Sequence, residues 1–117
     1  GDGEMSDTTA LDALIEAVEA GVLPDEDWRL MHDIWSPRNW HDIGHNVRYS
    51  MHGSLDAAKA LHEALLPEWF PGMSKNIHHG HWYAWVQDKA TAHFSAVEPD
   101  PARAWLLAAL KAYRAGL

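Results

Sequence analysis

Cysteine is absent from this chain of 117 residues. Its absence excludes disulfide bonds, thiolate ligands for zinc and a thiol nucleophile, and it is typical of proteins in a reducing compartment. Long apolar runs are missing as well, since no stretch approaches the roughly 18 uninterrupted apolar residues of a membrane-spanning helix. No basic segment leads into an apolar one near the N-terminus, as it would in a secretion signal. We therefore expect a cytoplasmic protein without a membrane partner.

Sequence motifs of catalysis are also missing. No serine stands in a G-x-S-x-G elbow, and no glycine-rich loop of the Walker or dinucleotide-binding type is present. Asp25 and Asp27 follow Pro24 at the start of a predicted helix, where their charge complements the positive end of the helix dipole. The sequence thus predicts no catalytic residue and no cofactor, and it favours a protein that is not an enzyme.

Negative charge dominates the N-terminal third. The net charge is −8, and ten of the 17 acidic residues lie within residues 1–33, together with a single base, Arg29. A phosphate backbone attracts clustered Lys and Arg, so we expect no nucleic-acid partner. The acidic third is interpreted as a solvated face, and the alternative is that it attracts a basic protein.

The length of the chain indicates one domain with one core. We interpret residues 1–8 as an acidic flexible arm and residues 9–117 as a single α/β sandwich domain. Gly1 to Glu4 precede Met5, which suggests a cloning remnant followed by a natural start at Met5.

Apolar residues at helical spacing, with capping and stop signals, predict four helices. Ser54 is a typical N-cap for the third helix, Asp100 is one for the last helix, and Pro101 suits the first position of that helix. The first helix spans roughly residues 9–20, and the second follows Pro24 and is stopped by Ser36-Pro37. The third is capped by Ser54 and ended by Pro67, and the last begins after Asp100 and ends at Gly116.

Alternating residues predict a small sheet of about four strands, mixed or antiparallel and packed by helices. The polar stretch from Arg38 to His52 lacks a clean period and is interpreted as a loop leading into the first strand. A two-residue turn at His79-Gly80 would pair Ile77 with Trp82. The strands span Val47 to Ser50, Met73 to His79, His81 to Asp88 and Thr91 to Val97, which gives an α+β fold with the order ααβαβββα.

Seven short segments carry a resemblance to a known family. They are Leu11 to Glu16, Leu23 to Glu26, Tyr49 to Ser50, Ser54 to Ala58, Leu66 to Trp69, Trp82 to Ala84 and Pro101 to Leu110. In this order and spacing they resemble small phage and prophage proteins with a phage ABA-sandwich domain. The resemblance implies a sheet covered by helices and a viral setting inside a bacterial host cell, and it supplies no catalytic residue.

These features together predict a phage-encoded accessory protein that binds another protein and performs no catalysis. A small virion or packaging component that acts through self-assembly is an alternative. A second alternative, a metal-binding protein or metal-dependent enzyme, arises because the chain contains nine histidines.

Four histidines are candidates for such a metal site. His41 and His45 lie four residues apart, the spacing of one helical face, although Gly44 weakens a helix there. His78 and His81 would lie opposite each other across the predicted turn. A zinc site needs a third and usually a fourth ligand, which this spacing does not supply, so we predict no metal site.

Seven tryptophans are too many for one small core to hide completely. Trp82 and Trp85 must point to opposite faces of their strand, so one of them is available to a partner. Aromatic side chains are enriched at the energetic centres of interfaces. We predict a partner surface at Trp40, Tyr83 and Trp85, which would contact an unknown protein, a basic one in view of the acidic third, or a second copy of the chain.

Overall fold

The computed structural model describes residues 2–37, 39–76, 78–90 and 92–117, with side chains from residue 8 onward. This part of the chain forms five helices and a three-stranded antiparallel sheet, which confirms the α+β class. The elements are α1 (Asp2–Ala20), α2 (Asp27–Trp35), α3 (Trp40–Met51), α4 (Leu55–Leu65), β1 (Phe70–Asn76), β2 (His81–Gln87), β3 (His93–Glu98) and α5 (Pro101–Ala115).

The capping signals of the sequence work as predicted in two helices. The hydroxyl of Ser54 accepts a hydrogen bond from the Ala57 amide at 3.1 Å, which begins α4. The Asp100 carboxylate accepts one from the Arg103 amide at 2.9 Å, which begins α5. Helix α1 starts at Asp2 instead of residue 9, so helical backbone extends over most of the segment predicted to be an arm.

The predicted first strand, Val47 to Ser50, is wrong, because these residues belong to α3. The sheet consequently has three strands instead of four, and the element order is ααααβββα. The buried residues of α3 recur at helical spacing as Ile43, Gly44, Val47 and Ser50, but two of them are too small or too polar to register as an apolar face. Met31 of α2 fills the space beside Gly44, since a Cβ there would lie 3.1 Å from the Met31 Cγ. The Ser50 hydroxyl donates to the Asn46 carbonyl at 2.6 Å, which satisfies it inside the helix.

The sheet is an antiparallel meander in the order β1-β2-β3. Lys75 pairs with Trp82, so the β1 to β2 register is shifted by two residues from the predicted one, in which Lys75 faced Ala84. A longer turn causes the shift, and the amide of Gly80 donates to the carbonyl of Asn76 at 2.9 Å across it. A shift of two keeps every side chain on its predicted face. The expected partner of Trp82, Ile77, lies outside the described residues, as does the predicted first residue of β3, Thr91.

Helix α5 is the centre of the core. Eight of its fifteen residues are buried, and all eight are alanine or leucine. It packs on β2 and β3 and also contacts α1, α3 and α4. A helix that is apolar around most of its circumference is expected in such a central position. Because α5 occupies one face of the sheet, the strand residues that point away from it are left on the other face.

Candidate functional site

The face of the sheet that points away from α5 contains Tyr83 and Trp85, two of the three residues predicted to contact a partner. We call it the open face. Its positions alternate along the three strands with those that point to α5. They are Phe70, Gly72, Ser74, Asn76, His81, Tyr83, Trp85, Gln87, His93, Ser95 and Val97.

Four of the open-face residues are large and apolar or aromatic. Phe70 is 57% exposed and Val97 is 58% exposed, each on an edge strand, and Tyr83 is 36% exposed on the central strand. The Tyr83 and Trp85 ring centroids lie 5.4 Å apart with an interplanar angle of 34°. The two aromatic rings therefore form one continuous patch, with a further apolar side chain on each side. Sequence reasoning identified Tyr83 and Trp85 and missed Phe70 and Val97, which the correct pairing of the strands would have added.

Charge is absent from the open face. None of its eleven positions, all of them described, holds Asp, Glu, Lys or Arg, although 22% of the chain is charged. The strands carry charge on the covered side instead, as at Lys75 and Glu98. A basic partner would therefore find no carboxylate on this face, so the acidic charge of the chain cannot explain its use.

Trp40 does not join the open face. It lies at the start of α3 and lines a cleft of about 270 Å³ between α2 and α3, which we call the α2–α3 cleft. Its indole stacks on the His41 imidazole with a centroid distance of 4.0 Å and meets the edge of His32 at 5.1 Å. These two contacts fix the orientation of the Trp40 ring. The predicted partner surface is thus divided between two places.

Arg48 lines the α2–α3 cleft and forms an ion pair with Asp27, which does not line it. The Arg48 guanidinium donates from Nε and Nη2 to the two carboxylate oxygens of Asp27, at 2.8 and 2.7 Å. The Asp27 side chain is 10% exposed and that of Arg48 is 39% exposed. The hydrogen bonds to Asp27 raise the pKa of Arg48 above its ordinary value. Arg48 is therefore a permanent, oriented cation at the cleft.

The four histidines considered for a metal site form no such site. His41 and His45 share an exposed face of α3, with ring centroids 6.3 Å apart. His78 lies in the turn, while His81 pairs with Asn76, so the predicted opposition of the two histidines is wrong. Within the part of the chain that the structure describes, no three His, Asp or Glu side chains come together as metal ligands.

Comparison with known proteins identifies no relative of this chain. No family model, curated protein or solved structure matches the chain. Among the described residues, none of the helices has the length and apolar character needed to cross a membrane. The residues of the open face and of the α2–α3 cleft are thus the basis for a functional hypothesis.

Proposed function

We propose that this protein is a non-enzymatic interaction module, that it associates through the open face, and that the occupant of this face is a second copy of the chain. The observation that carries the proposal is the combination of exposed aromatic residues with a complete lack of formal charge on one sheet face. Exposed apolar patches of this kind mark interaction surfaces.

The distribution of charge directs a second copy to the open face. Each copy carries a net charge of −8, so two copies repel each other, and this repulsion is smallest where neither surface presents a carboxylate. The acidic third supplies α1 and α2, which are far from the three strands in the sequence and, among the described residues, do not pack on the sheet. Two open faces can therefore meet without placing like charges opposite each other.

The size of the open face is sufficient for a weak dimer. Three strands of six or seven residues, at a spacing of about 4.8 Å and a rise of about 3.3 Å, give a backbone footprint of roughly 300 Å². Protruding side chains increase the accessible area, and two such faces would bury on the order of 1,000 Å², the lower end of specific interfaces. We expect a dissociation constant in the micromolar range.

The resemblance to phage proteins extends the proposal to a phage-encoded accessory protein in the cytoplasm of a bacterial host. A face-to-face dimer is isologous and closes on itself. Particles larger than a dimer would favour the alternative of a virion component, which needs repeated contacts.

Sedimentation equilibrium at neutral pH, at protein concentrations from about 1 to 200 μM, tests the proposal across the expected affinity range. We expect a dimer for the unmodified chain and a monomer for Val97→Lys, because the substitution buries an unpaired charge in the interface. The matched control is Val22→Lys, since Val22 is 70% exposed and follows α1, away from the sheet. A monomer at every concentration contradicts the proposal, and so does a dimer that Val97→Lys leaves intact.

A further inference from the structure

The α2–α3 cleft is a second site, separate from the open face. Its walls are aromatic on two sides, from Trp28 of α2 and Trp40 of α3. Met31, only 1% exposed, closes the floor, and the exposed imidazoles of His41 and His45 stand at the mouth. The volume of about 270 Å³ lies just below that of pockets for drug-sized ligands. A ligand with one or two rings fits this size.

The walls of the cleft are held in place before any ligand arrives. The His41 and His32 contacts orient the Trp40 ring, and the guanidinium of Arg29 lies 5.4 Å from the Trp28 ring centroid. The close approach of α2 and α3 at Met31 and Gly44 sets the floor. Orientation before binding reduces the entropy that a ligand must overcome.

The hydrogen-bonding groups in the cleft favour a ligand whose polar group accepts hydrogen bonds over one whose polar group donates them. Both carboxylate oxygens of Asp27 already accept from Arg48, so the carboxylate is engaged within the pair. Arg48 donates to Asp27 from Nε and Nη2, so the two hydrogens on Nη1 take no part in the ion pair. The imidazoles of His41 and His45 are further potential donors. A cationic ligand would meet the Arg48 charge instead of an available carboxylate.

From this arrangement we propose that the α2–α3 cleft binds a planar aromatic carboxylate, whose ring packs between Trp28 and Trp40 and whose carboxylate accepts hydrogen bonds from Arg48 and from the imidazole of His45. A free aromatic acid and an aromatic residue at the C-terminus of a peptide share this chemistry. The site does not depend on association through the open face.

The test uses three probes with one ring system and different charge: 2-naphthoate, 2-naphthamide and 2-naphthamidine. Each is titrated into the ¹⁵N-labelled protein while the tryptophan indole N–H signals are followed, with Trp28→Phe and Trp40→Phe assigning the two cleft signals. We expect 2-naphthoate to shift these two signals with a Kd of about 1 mM, as expected for a fragment of this size. Binding of 2-naphthamidine should be weaker by about tenfold, the discrimination that one charge-assisted hydrogen bond provides.

Two substitutions of histidine by glutamate provide the matched control. His45→Glu places a carboxylate at the cleft mouth and should weaken 2-naphthoate binding by about tenfold. His52→Glu adds the same charge seven residues further on, at an exposed residue that follows α3 and does not line the cleft, and should leave binding nearly unchanged.

A further variant tests the ring contact separately from the charge contact. Trp28 is 47% exposed, so Trp28→Ala should fold and should abolish measurable binding of 2-naphthoate. If 2-naphthoate shifts the indole N–H signal of Trp85 instead of the signals of Trp28 and Trp40, the ligand lies on the open face and the proposal is overturned. Equal affinity for the three probes, or no shift at about 10 mM probe, a tenfold excess over the expected Kd, would overturn it as well.

Discussion

The indole of Trp85 lies directly over Gly72, its partner on the neighbouring strand, and occupies the space that a Cβ at position 72 would need. An aromatic ring over a cross-strand glycine shields backbone that would otherwise be exposed, and the glycine in turn lets the ring lie flat across the sheet. Trp85 consequently remains only partly exposed on the open face, while its neighbour Tyr83 is more accessible.

Gly72→Ala should destabilise the protein, because the new methyl group cannot enter the space that the Trp85 ring occupies. We expect a decrease of about 1–3 kcal/mol in the free energy of unfolding, the range for overpacking a well-filled site. Urea denaturation followed by circular dichroism measures it. Ser74→Ala, on the same strand and the same face but exposed, is the control and should change the free energy by less than about 0.5 kcal/mol.

Trp85→Leu should relieve the crowding, so the cost of Gly72→Ala should fall markedly when it is measured in a Trp85→Leu background. An equal cost in both backgrounds would mean that the indole does not fill the space beside Gly72.

The helices with strong signals were predictable from the sequence because local chemistry decides them. Ser54 and Asp100 cap their helices through bonds to residues three positions on, so no distant contact is needed to recognise them. Helix α3 was missed because its buried face includes Gly44 and Ser50. Gly44 is buried only because Met31 of another helix fills the space beside it, and this contact is invisible in the local pattern.

The candidate sites were predictable to a similar extent. Alternation along β2 placed Tyr83 and Trp85 on one face, since the parity of a strand does not depend on its register. The composition of the α2–α3 cleft was not predictable, because Trp28 and Arg48 come from separate helices and one of these helices had been interpreted as a loop and strand. The local signals of this site were the pair of His41 and His45 on one helical face and Trp40 among the residues predicted to contact a partner.

The buried His62 joins three parts of the fold through its two ring nitrogens. The indole N–H of Trp105 in α5 donates to Nδ1 at 3.2 Å, and Nε2 lies 2.8 Å from the carbonyl oxygen of Trp69. An indole nitrogen is a donor only, so Nδ1 must be the acceptor and the proton must lie on Nε2. We therefore predict that ¹⁵N shifts of this imidazole at neutral pH show the neutral Nε2–H tautomer, and the Nδ1–H tautomer would contradict the arrangement.

Removal of the His62 imidazole should leave the Trp69 carbonyl and the Trp105 indole N–H without these hydrogen bonds. We expect His62→Leu to lower the free energy of unfolding by about 1–3 kcal/mol, the cost of unsatisfied buried polar groups. His52→Leu, at an exposed position after α3, is the matched control and should have little effect. Equal effects of the two substitutions would show that the hydrogen bonds of His62 contribute nothing to stability.

The ion pair between Asp27 and Arg48 should be energetically coupled, since the carboxylate is nearly buried and the pair is bidentate. A double-mutant cycle with Asp27→Asn and Arg48→Met measures this coupling, which we expect to be about 1–2 kcal/mol after discounting for the partial exposure of Arg48. The exposed pair of Asp12 and Arg114 is the control and should give less than about 0.5 kcal/mol in the same cycle.

The raised pKa of Arg48 contributes stability that is fully present below the pKa of an unfolded arginine and is lost only as the pH rises through the folded pKa. The contribution of Arg48 to the coupling should therefore stay constant from about pH 7 to pH 9, well below the ordinary arginine pKa. A decline across this range, or a coupling no larger than that of the exposed pair, would mean that Arg48 and Asp27 do not form the buried contact on which the wall of the α2–α3 cleft depends.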